Sequence, residues 1–397
     1  MTSWDAVVVG AGPAGSATAL LLARAGARVL LLDRARFPRD KPCSEYLSPE
    51  TTRVLERLGG GVLEAVAGAS HARLSGMKVV APSGAAVVGR FGDERGPRYS
   101  FALPRTSFDT ILRRAAEAAG AEVREGVKVE ELLYDRGAVS GVVARDAGSG
   151  MREAYRARVV VGADGLRSVV ARRLGPVRVS PPRRVAFAAH VADVAGVTDV
   201  GEMHVGPTGY VGLGPIGDGV TTVALVLPLR AVRRRPRLFE ELERFPGLAG
   251  RFDPRRLVRG VLATGPFAQW SRRTVAEGGA RGRGGGALLV GDAAEFFDPF
   301  TGQGIYSALR GAELAAACLI SGAGLRAYAR ARRRAFTGKW LLERLIGLGV
   351  GWPALVERVV RRLARRPDLA DLLVGATGNC VPARAVLTPG VLARLLW

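Results

Sequence analysis

The sequence predicts an α/β fold, α+β overall, in which a parallel sheet flanked by helices is joined to a mixed or antiparallel sheet and a C-terminal helical segment. The first observation is a buried apolar strand at 5–10, a glycine-containing turn, a helix at 14–26 and a strand at 28–32. Together they form one βαβ unit of Rossmann-like type. A second helix-to-strand step follows at 108–124, where the apolar spacing is helical until Gly120.

The third observation concerns the middle of the chain. Residues 184–228 and 257–264 are rich in valine and interrupted by Gly-Pro, Gly-Asp and Pro, which is typical of antiparallel strands. The predicted domains are a discontinuous nucleotide-binding domain (1–72, 100–180 and 276–330), a substrate-binding β-sheet domain (73–99 and 181–275) and a C-terminal helical segment (331–397). In that last segment Trp340, Leu341, Leu345 and Leu348 share one helix side. The segment either caps the other domains or docks on a membrane surface.

Composition narrows the classes of partner. The 397 residues include 58 basic and 36 acidic side chains, giving a formal charge of +22. The charge comes from scattered arginines, which reflect either compositional bias or attraction for anions: dinucleotide phosphates, an acidic carrier protein or an anionic membrane surface. No recognition helix, zinc pattern or aromatic-basic stripe accompanies it, so nucleic acid is not an expected partner.

Cysteine and histidine usage argues against disulfides and metal sites. The three cysteines show no CxxC pairing and the three histidines are dispersed, which predicts a reducing compartment and no bound metal. The uncharged stretch Ala6–Ala23 is interrupted by glycines and a proline, and later apolar runs are short, so no transmembrane segment is expected. We expect a cytoplasmic protein, or one peripheral to the membrane, that is a monomer or homodimer.

The strongest motif lies in the first βαβ unit. Gly10-Ala11-Gly12-Pro13-Ala14-Gly15 fits GxGxxG directly after a strand and at the start of a helix. These glycines allow a tight turn, close backbone approach to a pyrophosphate and close helix packing, while the helix N-terminus faces the anion. Asp33 ends the next strand about 20 residues on, where a carboxylate reaches ribose hydroxyls. The pattern predicts dinucleotide binding.

Two further segments resemble a known family. Val161-Gly162-Ala163-Asp164-Gly165-Leu166-Arg167-Ser168 resembles the DG motif, and Gly286-Ala287-Leu288-Leu289-Val290-Gly291-Asp292-Ala293-Ala294 the GD motif, of flavoproteins with the para-hydroxybenzoate hydroxylase fold. That family contains group A flavin monooxygenases and geranylgeranyl reductases. The resemblance implies FAD as cofactor and a hydrogen bond from the ribityl chain to Asp292.

The same resemblance assigns the loop before a later helix and the start of an earlier one. Asp298-Pro299-Phe300-Thr301-Gly302-Gln303-Gly304-Ile305 resembles the loop that leads into a helix beneath the isoalloxazine ring, whose N-terminal amides would stabilise negative charge on the reduced flavin. Arg105 resembles the family arginine that meets the phosphate or ribityl region. An exposed capping arginine is the alternative for Arg105.

The segment from Phe37 to Pro49 resembles the corresponding loop of geranylgeranyl reductases and related monooxygenase-like and halogenase-like flavoproteins. Cys43 would then lie near the flavin, although a simple buried cysteine is the alternative. The candidate catalytic residues are Cys43, Glu45, Tyr210 and Pro299. The candidate cofactor-binding residues are Gly10, Gly12, Pro13, Ala14, Gly15, Asp33, Arg34, Lys41, Pro42, Cys43, Arg105, Val127, Ala163, Asp164, Gly165, Gly291, Asp292, Pro299, Gly302, Gly304 and Ile305.

The sequence departs from two subfamily patterns. Geranylgeranyl reductases typically have CGG after the lysine and a YxWxFP element, where this chain has Cys43-Ser44-Glu45 and Tyr210-Val211-Gly212-Leu213-Gly214-Pro215. The WxWxIP signature of flavin halogenases is also absent from that segment, which disfavours halogenation. A second GxGxxG for a nicotinamide is not visible, so NAD(P)H would bind only transiently.

Three functions follow from the resemblance. The leading hypothesis is an NAD(P)H-dependent monooxygenase in which a flavin C4a-hydroperoxide hydroxylates an apolar or aromatic, polyketide-like or lipid-like substrate of secondary metabolism. The second is a geranylgeranyl-reductase-like ene-reductase of prenyl or polyunsaturated chains, which delivers hydride from flavin N5. The third is a redox-neutral cyclase or a flavin-binding protein without turnover.

Overall fold

The computed structural model describes residues 3–278 and 284–396. Its strands are β1 (Trp4–Val9), β2 (Val29–Asp33), β3 (Tyr46–Leu47), β4 (Ala72–Leu74), β5 (Gly76–Val80), β6 (Ala86–Arg90), β7 (Gly92–Asp93), β8 (Gly96–Pro97), β9 (Ser100–Ala102), β10 (Glu122–Glu125), β11 (Val127–Asp135), β12 (Ala138–Asp146), β13 (Arg152–Gly162), β14 (Val177–Val179), β15 (Arg184–Ala192), β16 (Val200–Val205), β17 (Tyr210–Gly217), β18 (Val220–Pro228), β19 (Leu257–Thr264), β20 (Gln269–Ser271), β21 (Val275–Gly278), β22 (Gly284–Leu289) and β23 (Glu295–Phe296). Its α-helices are α1 (Pro13–Arg24), α2 (Pro49–Leu58), α3 (Val62–Gly68), α4 (Arg105–Ala118), α5 (Val169–Leu174), α6 (Leu238–Leu242), α7 (Gly304–Ile320), α8 (Leu325–Gly349), α9 (Pro353–Leu363), α10 (Pro367–Thr377) and α11 (Pro389–Leu396).

The first sheet carries five parallel strands in the order β10-β2-β1-β13-β22. Strand alternation divides its core between two faces. Ala6 and Val8 pack with α1, α4 and α7, whereas Val7 and Val9 pack with the β11–β12 hairpin and α5. Because most of β1, β2 and β22 is buried on both faces, the sequence shows continuous apolar runs there rather than alternation. The polar loops therefore collect at the carboxyl ends of the strands.

The second sheet has seven strands in the order β19-β15-β18-β17-β16-β5-β6. Its strands are antiparallel except for β16 and β5, which run parallel in register from Val200 opposite Gly76. These two strands come from distant parts of the chain, so no hairpin imposes an antiparallel arrangement on them. The predicted α/β fold with a mixed second sheet is confirmed.

The C-terminal helices begin earlier than the sequence pattern indicates. Helix α8 begins at Leu325, six residues before the predicted boundary at 331. Helices α8 to α11 share a core with β5 and β6, to which Ala81, Val87, Leu342 and Leu369 contribute. The ends of two predicted ranges, residues 1–2 and 397, and residues 279–283 lie outside the described residues.

The described residues contain neither a membrane-spanning helix nor a cluster of metal ligands. None of the described helices has the length and apolar character needed to cross a bilayer. Among residues 3–278 and 284–396, no three His, Cys, Asp or Glu side chains are grouped as metal ligands.

Candidate active site

A deep cavity lies between the carboxyl ends of the parallel strands and one face of the second sheet. Its volume, including the solvent-filled opening, is about 1230 Å³. The structure brings the following predicted residues to its lining: Gly12, Pro13, Ala14, Lys41, Pro42, Cys43, Arg105, Ala163, Gly165, Tyr210, Asp292, Pro299, Gly302, Gly304 and Ile305. Predicted residues that do not line it are Gly10, Gly15, Asp33, Arg34, Glu45, Val127, Asp164 and Gly291.

The β1–α1 turn shows why two of those glycines act from behind the lining. Gly10 has a φ of +100°, and a Cβ atom there would lie 2.6 Å from the Ala163 carbonyl oxygen. A Cβ atom at Gly15 would lie 1.7 Å from the Gly10 carbonyl oxygen. The turn can therefore form only with glycine at these positions. It leaves Gly12, Pro13 and Ala14 at the cavity with the unpaired first-turn amides of α1.

The acidic residue at the end of β2 braces the same turn. Asp33 accepts hydrogen bonds from the amides of Ala11 (2.7 Å, to Oδ2) and Ala35 (2.8 Å, to Oδ1). Arg34, beside it, is exposed. Asp33 thus holds the turn to the neighbouring strand, and its contact with a ribose stays a prediction.

A cluster of cations faces the turn from the opposite side. Arg105 donates two hydrogen bonds of 2.7 Å, from Nε and Nη2, to the two carboxylate oxygens of Asp109. Arg39 Nη1 lies 3.0 Å from Asp109 Oδ2, yet this buried nitrogen has no acceptor with hydrogen-bond geometry among the described residues. A Cβ atom at Gly12 would lie 3.3 Å from Arg39 Nη2. A guanidinium nitrogen whose N–H groups lack a well-aligned acceptor, next to the turn amides, suits an anionic oxygen.

Lys41 and Asp292 complete this charged region. Both face the cavity and are otherwise enclosed by protein. Burial lowers the pKa of Lys41, an effect that Arg105 and Arg39 increase and Asp292 opposes. Burial raises the pKa of Asp292 against the opposing effect of Lys41 and Arg105. Three cations therefore stand against the carboxylates of Asp109 and Asp292, which leaves an excess of positive charge.

In the DG segment, the residues on either side of Asp164 line the cavity, while Asp164 itself does not. Ala163 and Gly165 line the cavity, whereas the Asp164 carboxylate points to α5. Asp164 accepts from Ser168 Oγ at 2.5 Å and from the Val169 amide at 2.6 Å. It therefore anchors the first turn of α5 rather than standing open to a ligand.

The loop before α7 is held by a buried polar group that sequence reasoning missed. Asp298 accepts from the Tyr210 hydroxyl at 2.6 Å, from Arg184 Nη1 at 2.5 Å and from the Phe300 amide at 3.1 Å. Burial raises the pKa of Tyr210 well above its ordinary value, and Asp298 adds to this, so the hydroxyl stays protonated. A Cβ atom at Gly302 would lie 2.8 Å from the Tyr46 ring, so a side chain is excluded there. These contacts fix the N-terminus of α7 at the cavity.

The segment between β2 and β3 places Cys43 in the cavity and Glu45 behind it. Glu45 is fully buried with a φ of +60°. Its Oε2 lies 2.6 Å from His190 Nε2, and its Oε1 accepts from the Arg105 amide at 3.3 Å. A residue in this strained conformation is retained because its surroundings hold it.

The opposite wall of the cavity is apolar. Ala186, Ala188, Ala224 and Val226 face it from paired strands β15 and β18, where Ala186 is opposite Val226 and Ala188 is opposite Ala224. Gly212 is opposite Ala224 in the next pairing. Small side chains at facing positions keep the wall open, and Tyr210 is the titratable group that these strands contribute to it.

Val127 has a different place from the one predicted. It begins β11, pairs with Asp146 and is buried in the core shared by β11, β12 and α5. An apolar side chain at the start of a paired strand packs inward, which removes Val127 from the cavity lining. Gly291 lines a smaller pocket beside the cavity.

Comparison with known proteins now decides the family. The family model described as FAD binding domain matches residues 3–333. The chain belongs to this family.

The chain is 33% identical to menaquinone reductase of Mycolicibacterium smegmatis over 99% of this chain and 97% of the relative. It is 30% identical to digeranylgeranylglycerophospholipid reductase of Methanosarcina acetivorans over 79% of this chain and 74% of the relative. A flavoprotein/dehydrogenase structure from Cytophaga hutchinsonii superposes with a TM-score of 0.84 at 20% identity, covering 98% and 96% of the two chains.

The geometry of this FAD-dependent oxidoreductase fits its cofactor. Gly12 and Ala14 bring backbone amides to the cavity, and Arg39 Nη1 has no acceptor with hydrogen-bond geometry among the described residues. The predicted resemblance to flavoproteins of the para-hydroxybenzoate hydroxylase fold is confirmed, as is FAD as the cofactor.

Several site residues were missed at the sequence level. Asp109 lies four residues after Arg105, a spacing at which two side chains of a helix can form an ion pair, so the sequence contained a signal for it. Arg39 lies two residues before Lys41, and nothing but this closeness in sequence pointed to it. Asp298 is the first residue of the predicted loop before α7, but the motif assigned it no role. In the structure it caps the turn that begins at Pro299 through its side chain. No local sequence pattern pointed to Arg184 or Gln303. Arg184 contacts Asp298, and Gln303 donates to the Thr377 carbonyl at 2.6 Å, so each acts on a segment far away in the sequence.

Proposed function

We propose that this chain reduces carbon–carbon double bonds in the polyprenyl chain of a lipid, with NAD(P)H as the transient reductant. Two relatives support the choice: one is named for menaquinone and the other for a digeranylgeranyl lipid. Those two compounds differ in their polar parts and share a polyprenyl chain. The observation that carries the proposal is the open wall of small apolar residues facing the cofactor side of the cavity.

The cavity residues suggest how FAD is held. The pyrophosphate would lie against the amides of Gly12 and Ala14, near the guanidinium of Arg39. Arg105 and Asp292 would meet the ribityl region, and the N-terminus of α7 at Gly304 would lie under the ring system. Bound and reduced, FAD supplies a hydride for the double bond.

The chain itself must supply a proton and exclude water. Adding two hydrogens to a double bond takes one hydride and one proton, and the Cys43 thiol lies in the cavity lining as a candidate proton donor. Tyr210 is less suited to that role because its hydroxyl is committed to Asp298 and its pKa is raised by burial. We assign it to the wall. Glu45 would position the loop, and Pro299 would shape the turn before α7.

The test is anaerobic turnover of a polyprenyl lipid by the FAD-loaded enzyme with NADPH. We expect a product that carries two more hydrogen atoms for each reduced bond, with no requirement for oxygen. The hydroxylation hypothesis requires instead oxygen consumption matched to an oxygen-containing product. A bound flavin that no reductant bleaches in the presence of the lipid would favour the redox-neutral hypothesis. Each result contradicts the other two.

Replacement of Cys43 by alanine tests the proton assignment separately. We expect flavin reduction by NADPH to proceed as in the wild type while lipid reduction falls at least tenfold, since loss of a positioned acid typically costs about 10²–10⁴-fold. Cys318, a partly buried cysteine in α7, offers a matched Cys→Ala control. Unchanged lipid reduction in Cys43→Ala would remove Cys43 from the catalytic residues.

A further inference from the structure

Helix α8 and the residue before α9 expose four large apolar side chains in one row. Leu341, Leu345, Leu348 and Trp352 are 50%, 44%, 47% and 66% exposed. Their spacing of four, three and four residues places them along one side of the helix and its end. We call these four residues the apolar stripe. Large side chains grouped in this way mark an interaction site more often than single exposed ones do.

The opposite side of the same helix end touches the cavity wall. Ile346 and Val350 pack in one cluster with Ala186, Tyr210 and Val226, of which all three line the cavity. Arg184 Nη1 also donates to the Gly347 carbonyl at 2.9 Å, which ties α8 to β15 and to Asp298. The apolar stripe and the proposed lipid cavity are therefore separated by the thickness of one helix.

Basic residues flank the apolar stripe along the sequence. Residues 326–366 contain twelve basic and two acidic side chains. Arg330, Arg334 and Arg344 on α8 are exposed, and Arg358 and Arg365 on α9 are also exposed. Arg334 lies seven residues before Leu341 and thus on the same helix side. Basic clusters of this density are attracted to anionic lipid headgroups.

We propose that the apolar stripe inserts into the surface of an anionic lipid bilayer while the surrounding arginines bind its phosphates. A helix of this type lies in the interface, with its apolar side at the boundary of headgroups and acyl chains. Tryptophan with an exposed ring is suited to that depth. The purpose of the docking, delivery of a lipid into the cavity, rests on the proposed function, whereas the docking itself does not. An acidic protein partner would use the arginines but leave the leucines without a role.

The experiment measures binding of the FAD-loaded full chain to vesicles of phosphatidylcholine alone and of phosphatidylcholine mixed with phosphatidylglycerol. We expect binding to the mixed vesicles that weakens as salt is raised, and a blue shift in the emission of Trp352, isolated by difference against Trp352→Phe. The double variant Leu345→Glu with Leu348→Glu should bind at least about tenfold more weakly. Equal binding by that variant, or no binding to either vesicle, would overturn the proposal.

Val258→Glu is the control. Val258 is 60% exposed and lies near the start of β19, where Leu257 pairs with Val191. The other end of β19 pairs with Ala186, next to Arg184, which contacts α8. Val258 is therefore at the end of β19 that is far from α8. We expect it to bind vesicles as the wild type does. Lipid reduction is then assayed in detergent micelles. If the Leu345→Glu with Leu348→Glu variant loses vesicle binding but still reduces the lipid in micelles, the docking assignment is supported. If the wild type binds vesicles but reduces no lipid, only the proposed function is contradicted.

Discussion

The two sides of the cavity are built by opposite means. On the cofactor side, charged groups are packed against a glycine turn, and Asp109 contacts both Arg105 and Arg39 within 3.0 Å. On the apolar side, which we propose receives the substrate, strands β15, β17 and β18 present alanine, glycine and valine, and the polar group among them, Tyr210, is bound to Asp298. The first side binds by directed contacts with fixed partners, and the second offers space and an apolar surface.

This difference teaches which side tolerates change. Directed contacts fail when one atom is moved or removed, because the remaining partner is left buried and unpaired. An apolar wall fails only when its volume changes, because apolar contact is not directional. We therefore expect substitutions on the cofactor side to affect FAD binding and stability together. Substitutions on the wall should affect turnover alone.

The largest effect is expected from Gly15→Ala. Its Cβ atom would lie 1.7 Å from the Gly10 carbonyl oxygen, so α1 must shift away from the turn. We expect a loss of unfolding free energy of about 3 kcal/mol or more and no detectable FAD in the purified protein. Thermal unfolding and flavin absorbance measure the two effects. Gly68→Ala, also in a helix but with open space around the added atom, should behave as the wild type. Yellow, stable Gly15→Ala would contradict the assigned role of the turn.

Arg105→Ala should have the next largest effect. It removes two hydrogen bonds to the fully buried Asp109 and one cation facing the cavity. Because Arg39 still contacts Asp109, we expect a loss of stability at the lower end for a broken buried pair, about 3 kcal/mol. FAD binding should weaken by about 100-fold, measured by quenching of flavin fluorescence. Arg105→Lys should recover little, because an ammonium cannot form the paired contact. Arg114→Ala, exposed on the same helix, is the control, and equal FAD affinity in the two alanine variants would be inconsistent with a contact between Arg105 and FAD.

The same contrast explains what could be predicted from the sequence. The glycine turn between β1 and α1, Asp292 in the turn after β22 and the loop before α7 are contiguous motifs whose spacing reflects backbone geometry. Glu45 and Asp164 were named from their segments, yet their carboxylates turn away from the cavity to His190 and to α5. A motif indicates the path of the backbone and does not determine which side of it a polar side chain takes.

For the apolar wall, the sequence predicts only a substrate-binding sheet domain at 73–99 and 181–275, without the residues that face the cavity. Its lining residues come from strands 186–226, and which of them face the cavity depends on the strand register. A shift of one residue would turn every side chain to the opposite face, and valine-rich strands buried on both faces carry no alternation to fix it. The parallel pairing of β16 with β5 likewise joins segments more than 100 residues apart, beyond any local signal.

Ala224→Phe tests the wall. Ala224 lines the cavity opposite Ala188 and Gly212, so a phenyl ring there would fill space that we assign to the lipid chain. We expect kcat/KM for a polyprenyl lipid to fall about tenfold or more, while FAD affinity stays within twofold of the wild type. Ala224→Ser, of similar size, is the control for the substitution itself. Equal loss of FAD in Ala224→Phe would show that the two sides are not independent.

The smallest expected effect concerns charge behind the cofactor side. Lys339 donates to Ser307 on α7 at 2.7 Å and lies 3.8 Å from Glu343, with Glu295, Asp298 and Arg344 also acting on Glu343. Burial raises the pKa of Glu343 to about 7. The folded protein therefore holds a proton that the unfolded chain releases near its ordinary pKa of 4.5, and stability falls as pH rises between those values. The slope for one proton is at most about 1.4 kcal/mol per pH unit.

Glu343→Gln cannot titrate, so its unfolding temperature should change less between pH 5 and pH 7 (about the interval set by the two pKa values) than that of the wild type. The exposed Glu240→Gln is the control and should keep the wild-type slope. Lys339 opposes the trend only at higher pH, because burial lowers its pKa to about 8 and stability then rises with pH above that value. An unchanged slope in Glu343→Gln would mean that the Lys339–Glu343 pair stays ionised throughout this range, so that burial does not hold a proton behind α7.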